Sequence, residues 1–381
     1  MPSSTLNSER ASAGGLPADV PLMRSLAMDG LRRMYRPEEG LFAFRLRRAE
    51  GQDRLEGASL RYTAIVLIAL ADEANDVVSA CLPATDPHAL CGRLAGHAVR
   101  SSDLGDVALS LWAARRWRHD SAAALLSRLQ SMGPAQGVYP TVEVSWCLTA
   151  LTVEPAPRPD DRLAEAIVRR LLASFQPQSA LFPHWPADVH VSWMRGHVAC
   201  FADLVYPIQA LSQYYRAVGD PAALDAARAC ARQMCALQGP DGQWWWHYDV
   251  RTGRVIEKYP VYAVHQDAMG PMALYALQAA CGDACPQAIA RSVDWLMQAP
   301  ELDGSLVDRA ANVIWRKVAR REPGKLSRSV QAAASRIHPG LRFPGAGVLF
   351  PPTAVDYESR PYHMGWILYA WSAGAALGRR P

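Results

Sequence analysis

Apolar residues recur with a helical period over most of the chain, and they do so in pairs of segments. The first member of each pair falls near 21–34, 84–99, 119–132, 161–175, 221–237 and 286–299. The second falls near 58–73, 104–117, 143–154, 200–217, 263–279 and 360–377. The second members are the more apolar, as in ALYALQAA from Ala273, which predicts that they lie inside and the first members outside. Alternation with the period of a strand is confined to short pieces in the long loops.

A loop pattern punctuates these pairs. A helix ends, Pro or Gly follows, and an aromatic residue comes just after a small one: YRPEEGLFAF from Tyr35, MGPAQGVYP from Met132, FQPQSALFPHW from Phe175 and LQGPDGQWWW from Leu237. The small residues, Gly40, Gly137, Ala180 and Gly242, are consistent with a unit of about 50 residues, the length of a helical hairpin with its loops. Six hairpins, each too small to bury its apolar face alone, close most simply into an all-α (α/α)6 barrel.

Composition adds little to this picture and removes several alternatives. No stretch of linker composition divides the 381 residues, so a single toroid domain is expected over 20–381, with insertions near 176–199 and 301–356. Residues 1–19 are rich in Ser, Ala and Gly without an apolar core and read as a disordered leader. The longest apolar run, Ala64 to Ala71, is far short of the ~20 residues that span a bilayer, so no transmembrane segment is expected. The formal charge of +4 is dispersed and gives no reason to invoke nucleic acid. The exception is 316–328, where Arg316, Lys317, Arg320, Arg321, Lys325 and Arg328 form either a solvated face or a contact for an anionic surface. Most of the eight cysteines sit in apolar helical patterns, with Cys281 and Cys285 flanking a turn, and a reduced cytoplasmic protein is expected.

Candidate chemistry gathers where the second helices begin. If these helices are inner, their N-termini converge on one rim. That rim receives Arg61 and Tyr62, Asp103 and Asp106, Glu143 and Trp146, Asp203 and Tyr206, then Tyr262, His265 and Asp267, and finally Glu358, Arg360, Tyr362 and His363. Six helix N-termini add partial positive charge there. Asp267 opens an apolar helix after an aromatic loop, which predicts a partly desolvated acid or base tuned by His265 or His363. Glu143 and Tyr362 complete the catalytic candidates. Arg61, Tyr62, Trp146, Asp203, Tyr206, Tyr262 and Arg360 are read as substrate-binding. So are Trp244, Trp245, Trp246 and His247, whose rings suit the apolar faces of sugars. The loop from Phe182 to His197, with His184, Trp185, His190, Trp193, Arg195 and His197, reads as a lid. Its histidines fit no strong zinc spacing, so no metal is expected. No nucleotide-binding glycine loop is present and no cofactor is expected.

The paired helices and the loop Gln238-x-x-x-Gly242-x-Trp244 resemble the six-hairpin toroid superfamily, which holds glycoside hydrolases, uronate lyases and sugar epimerases. The same loop is similar to that of class II terpenoid cyclases. The resemblance implies a carbohydrate-active enzyme acting by acid/base chemistry on a glycan or uronate-containing sugar, as hydrolase, lyase or epimerase. The alternatives are a terpenoid-cyclase-like enzyme, whose Asp-x-Asp-Asp acid motif is absent here, and a non-catalytic glycan-binding toroid.

Overall fold

A computed structural model describes residues 16–153, 161–191, 196–319 and 353–372. Six helical hairpins run in chain order, outer helix first: α1 (Val20–Met34) with α2 (Leu60–Leu70), a short α3 (Asn75–Cys81), then α4 (Pro87–Ala98) with α5 (Leu104–Arg116), α6 (Ala122–Met132) with α7 (Thr141–Thr152), α8 (Asp161–Ser174) with α9 (Ala202–Val218), α10 (Pro221–Ala236) with α11 (Gly270–Cys281), and α12 (Pro286–Gln298) with α13 (Pro361–Ala370). Helices α2, α5, α7, α9, α11 and α13 pack each on the next, and α13 returns to α2 to close the ring. The remaining long helices form the outer layer.

The two layers follow from composition. Along α2 every residue from Thr63 to Leu70 is buried, and along α7 every residue from Val144 to Thr152. The outer helices bury one stripe, as α6 does with Leu125 and Leu129. The ends are specified locally. Asp86 and Asp220 accept backbone N–H groups at the starts of α4 and α10, each followed by Pro in the first turn. Gly133, Gly219 and Gly282 close α6, α9 and α11 in the left-handed conformation.

The sequence reading missed a sheet. Strands β1 (Tyr35–Arg36), β2 (Leu41–Ala49) and β3 (Gln52–Ser59) form an antiparallel arrangement in place of a plain loop. Glu50 and Gly51 turn its hairpin with φ of 54° and 76°, the sign pattern that matches strand twist. Both faces of the hairpin carry charged residues, so the apolar alternation that announces a strand is diluted. Further short strands are β4 (Val198–Cys200), β5 (His247–Asp249) and β6 (Arg254–Glu257), which form one sheet, then β7 (Val307–Asp308), β8 (Val313–Ile314), β9 (Lys317–Ala319), β10 (Ala354–Asp356) and β11 (Glu358–Ser359). Strand β11 pairs with β2, and β10 with β9.

Other expectations change or fall elsewhere. Residues 1–15 of the leader expected at 1–19, Trp193, Arg195 and the basic residues Arg320, Arg321, Lys325 and Arg328 lie outside the described residues. All eight cysteines are free, and the thiol beside Cys285 is Cys235 rather than Cys281. No described helix is long and apolar enough to cross a membrane.

The loop at Gly242 is where backbone freedom is required. Its φ is 96°, and a Cβ there would run into the Arg291 carbonyl. Gly242→Ala is expected to cost about 3 kcal/mol in strain and overpacking. That lowers Tm by about 4 °C in a chain of this length, measurable by calorimetry; an unchanged Tm would show that the loop relaxes freely.

Candidate functional site

The starts of the inner helices meet at one end of the ring, and side-chain contacts trace them round it. Ser59 caps α2 by accepting the Tyr62 N–H, and Asp103 caps α5 by accepting that of Asp106. From the first turn of α2, Arg61 reaches its neighbour α5 and, beyond it, α7. One terminal nitrogen donates to Asp103 at 2.6 Å and to Glu143 of α7 at 2.9 Å, and the guanidinium lies 5.1 Å from the Trp146 ring. Gly105 leaves the space Arg61 occupies, since a Cβ there would collide with the guanidinium and with Trp146. Burial raises the Glu143 carboxyl above its usual range, against the pull of Arg61, and burial raises Asp106 likewise with Asp103 adding to it. This arc of the mouth holds three acids around one arginine.

The opposite composition stands around Glu358, on β11. Arg45 of β2, Arg316 and Arg360 all donate to its carboxylate, at 2.9, 2.9 and 2.5 Å. Burial pushes this carboxyl up, but Arg360 and Arg316 outweigh burial and hold it below its usual range. Arg360 also donates to the Tyr62 hydroxyl at 2.7 Å, and Arg316 to the Tyr362 hydroxyl at 3.3 Å. Two backbone bonds fix Arg316: its carbonyl accepts the Ala263 N–H and its own N–H donates to the Glu358 carbonyl.

Rings join the two arcs. Tyr62 stands 4.9 Å from Tyr362, Arg316 lies over Tyr262, and Tyr262 meets Trp246 and His265 edge-on. Trp146 packs edge-on against Tyr206, which in turn contacts Trp366. A cavity of about 610 Å³ opens beside this network, lined by His184, Trp185, His190, Cys200, Trp246 and His247. The size suits a small-molecule ligand. The loop carrying His184 is pinned to the start of α7, where Thr141 donates to the carbonyls of His184 and Pro183. His184 Nδ1 lies 3.1 Å from both oxygens of Asp203, whose carboxylate is fully buried and also accepts the Cys200 N–H at 2.7 Å.

Several expected site residues are buried. Asp267 and His363 are wholly buried and bonded to one another at 2.7 Å. Burial raises the Asp267 carboxyl and His363 opposes it. They join α13 to the π-helical turn His265–Met269 that precedes α11, beneath the mouth and without a face toward it. Neither His265 nor Asp267 caps a helix by its side chain; the wider turn directs His265 to the rings of Phe201 and Tyr262 and Asp267 to α13. Trp244 and Trp245 offer no stacking plane. Trp244 is fully buried against Phe201, and Trp245 is buried with its N–H on the Leu237 carbonyl. Of the tryptophan run, Trp246 alone is half-exposed, stacked on His247.

Arg316 is the residue that sequence reasoning placed wrongly. It heads a basic run and reads as solvent-facing, yet its side chain is only 13% exposed and points into the mouth. Its neighbours Trp315 and Val318 are buried, an apolar frame that was the available signal. Lys317, from the same run, pairs with Asp356.

No protein-family model matches this sequence, and no curated protein matches it in sequence. Solved structures share its fold along nearly its whole length. Cellobiose 2-epimerase from Bacillus thermoamylovorans is 10% identical, with a TM-score of 0.60, covering 92% of this chain and 98% of its own. Unsaturated glucuronyl hydrolase from a Bacillus species is 11% identical, with a TM-score of 0.56 over 93% and 97%. A further structure, described as UGL with dGlcA-Glc-Rha-Glc, is 10% identical, with a TM-score of 0.59 over 94% and 97%. The chain therefore has the six-hairpin (α/α)6 toroid fold. It shares that fold with carbohydrate hydrolases and sugar epimerases.

His265 makes acid stability a test of this geometry. It is 5% exposed, and its Nδ1 has no hydrogen-bond partner among the described residues. Burial, with Arg316 nearby, lowers its pKa from 6.5 to about 3. Between those values the unfolded chain binds the proton that the folded chain refuses. The contribution is therefore complete above pH 6.5 and is lost as pH falls toward 3, at up to about 1.4 kcal/mol per pH unit. Urea denaturation from pH 6.5 to 5.0 should show the wild type losing about 2 kcal/mol more than His265→Gln. Equal losses would mean that His265 protonates freely in the fold.

Proposed function

We propose that the protein is a carbohydrate-active enzyme that binds an acidic sugar in this mouth and acts on it by proton transfer. The observation that carries the reading is the division of the rim: a cluster of arginines and tyrosines around Glu358 on one side, and desolvated carboxyls around Arg61 on the other. Arg316 and Arg360 are suited to a uronate carboxylate, which guanidinium groups bind in a forked geometry. Trp246, which lines the cavity, supplies an apolar face for the ring. Glu143, with its carboxyl raised, is the proton donor, and Tyr362 stands beside Arg316 where a second proton is handled. A glucuronyl-containing sugar in one of the structures sharing this fold, and a glucuronyl hydrolase in another, agree with an acidic substrate.

Hydrolysis by two carboxyl groups placed across a sugar fits less well. Asp103 and Glu143 share a single nitrogen of Arg61, so the guanidinium occupies the space between them. Single-acid chemistry, or abstraction of a proton beside the carboxylate, suits the site better. A carbocation route of the terpenoid kind is disfavoured because arginines already lie over the Trp146, Tyr262, Phe44 and Tyr62 rings.

Binding of D-glucuronate and D-glucose, followed by tryptophan fluorescence, tests the substrate class. Glucuronate should bind the more tightly, and Arg316→Gln should weaken it about tenfold or more while leaving glucose unaffected, since hydrogen bonds to charged groups are worth about 1.5–3 kcal/mol. Equal affinities for the two sugars would overturn the reading. On a uronate disaccharide that the enzyme turns over, Glu143→Gln should lower kcat by about 10²–10⁴, and a loss within threefold would remove Glu143 from the chemistry.

A further inference from the structure

One cluster in the cavity wall is not used by the proposed proton transfer. A ring nitrogen of His184, a carboxylate oxygen of Asp203 and the sulfur of Cys200 lie within 4.8 Å of one another. They come from different local structures: the pinned loop after α8, the end of β4 and the first turn of α9. We propose that these three side chains bind a divalent transition-metal ion of the zinc class, with the remaining coordination position facing the cavity.

The donor set is the first argument. Imidazole, thiolate and carboxylate are together suited to zinc, and three protein ligands plus an open position is the arrangement of zinc sites that act on substrates. Distances agree with modest closure. Ligand atoms around a tetrahedral zinc stand about 3.4–3.6 Å apart, and the His184–Asp203 separation is already 3.1 Å. The gap left to close involves the sulfur, and the His184 side chain, 43% exposed, can adjust by rotation about its own bonds while its backbone stays pinned.

Charge supplies an independent argument. The Asp203 carboxylate is fully buried, yet among the described residues it has no Arg or Lys partner; its one ion-pair contact is His184. Glu358, by contrast, is met by three arginines. A buried carboxylate is stable when a cation compensates it, and a divalent ion does so here while taking the Cys200 sulfur as thiolate, its proton passing to solvent. The second requirement of such sites is also present, because the Cys200 N–H already holds and orients the ligating carboxylate. The other lid histidines are not part of the set. His197 is buried elsewhere and His190 lines the cavity apart from the cluster.

The proposal does not depend on the substrate, and its test needs none. Chelator-treated full-length protein is titrated with Co²⁺ alone. One equivalent should bind with the near-ultraviolet charge-transfer band of cobalt–thiolate, and Zn²⁺ should abolish the band by displacement. Cys200→Ser, close in size, should keep the circular dichroism of the wild type and lose the band. His184→Ala, a change at a half-exposed side chain, should keep the band and weaken cobalt affinity by about tenfold or more. No thiolate band at saturating Co²⁺ would overturn the proposal. So would a band that survives Cys200→Ser, which would assign the metal to another cysteine, or an affinity unchanged in His184→Ala.

Discussion

An inner helix of this toroid is enclosed on every side, by its two neighbours in the ring and by the outer layer. Its backbone is satisfied internally, so its middle favours apolar side chains, as α2 shows, and the hydroxyls that α7 buries at Ser145 and Thr152 donate to carbonyls of their own helix. Polar groups are admitted at the helix starts, where unpaired N–H groups call for acceptors. Six such starts lie at the same end of the ring. The mouth thus gathers polar groups that the middles of the inner helices exclude, and each carboxylate there must find a cation or a proton. Glu358 finds three arginines, while Glu143 and Asp106 share Arg61 with Asp103 and are left with raised carboxyls.

Helix period made the twelve long helices and their inside/outside assignment legible from sequence, because full burial and one-sided burial leave different apolar patterns. The convergence of polar residues on one end followed from that assignment. The hairpin formed by β2 and β3 was not legible, since residues such as Arg45, Arg47 and Glu56 break the alternation on a rim strand. Arg316 was hidden for a related reason: a basic run looks alike whether it is solvated or turned inward against Glu358. Density of aromatic residues could not separate Trp244, which fills the core against Phe201, from Trp246, which keeps an open face. The pairing of His184 with Asp203 joins a loop to a helix start across an insertion, and no periodicity encodes it.

The fold is held in common with hydrolases and with epimerases, so it does not select between them. Selection rests with a few side chains whose surroundings differ sharply. Asp267 and His363 bond to each other in the interior and fasten the last inner helix to the one before it. Arg316, Tyr362, Tyr62 and Glu143 keep partial access to solvent and stand among groups of either sign. The first pair is enclosed and the second set is partly open, and burial is what separates them.

Strand β11 lies on β2, and Arg45 grips Glu358 across 313 residues of chain. A ribosome delivers the amino-terminal partner first and the other only 313 residues later. Five hairpins can stack one after another as they emerge, but the seam waits for the sixth. Loop closure over such a span is entropically unfavourable until many contacts form together. The arginine cluster at the mouth is built from both sides of that seam. Between emergence of the first hairpin and the sixth, the nascent chain is therefore an open crescent, and the arginine cluster around Glu358 is assembled only as the ring closes.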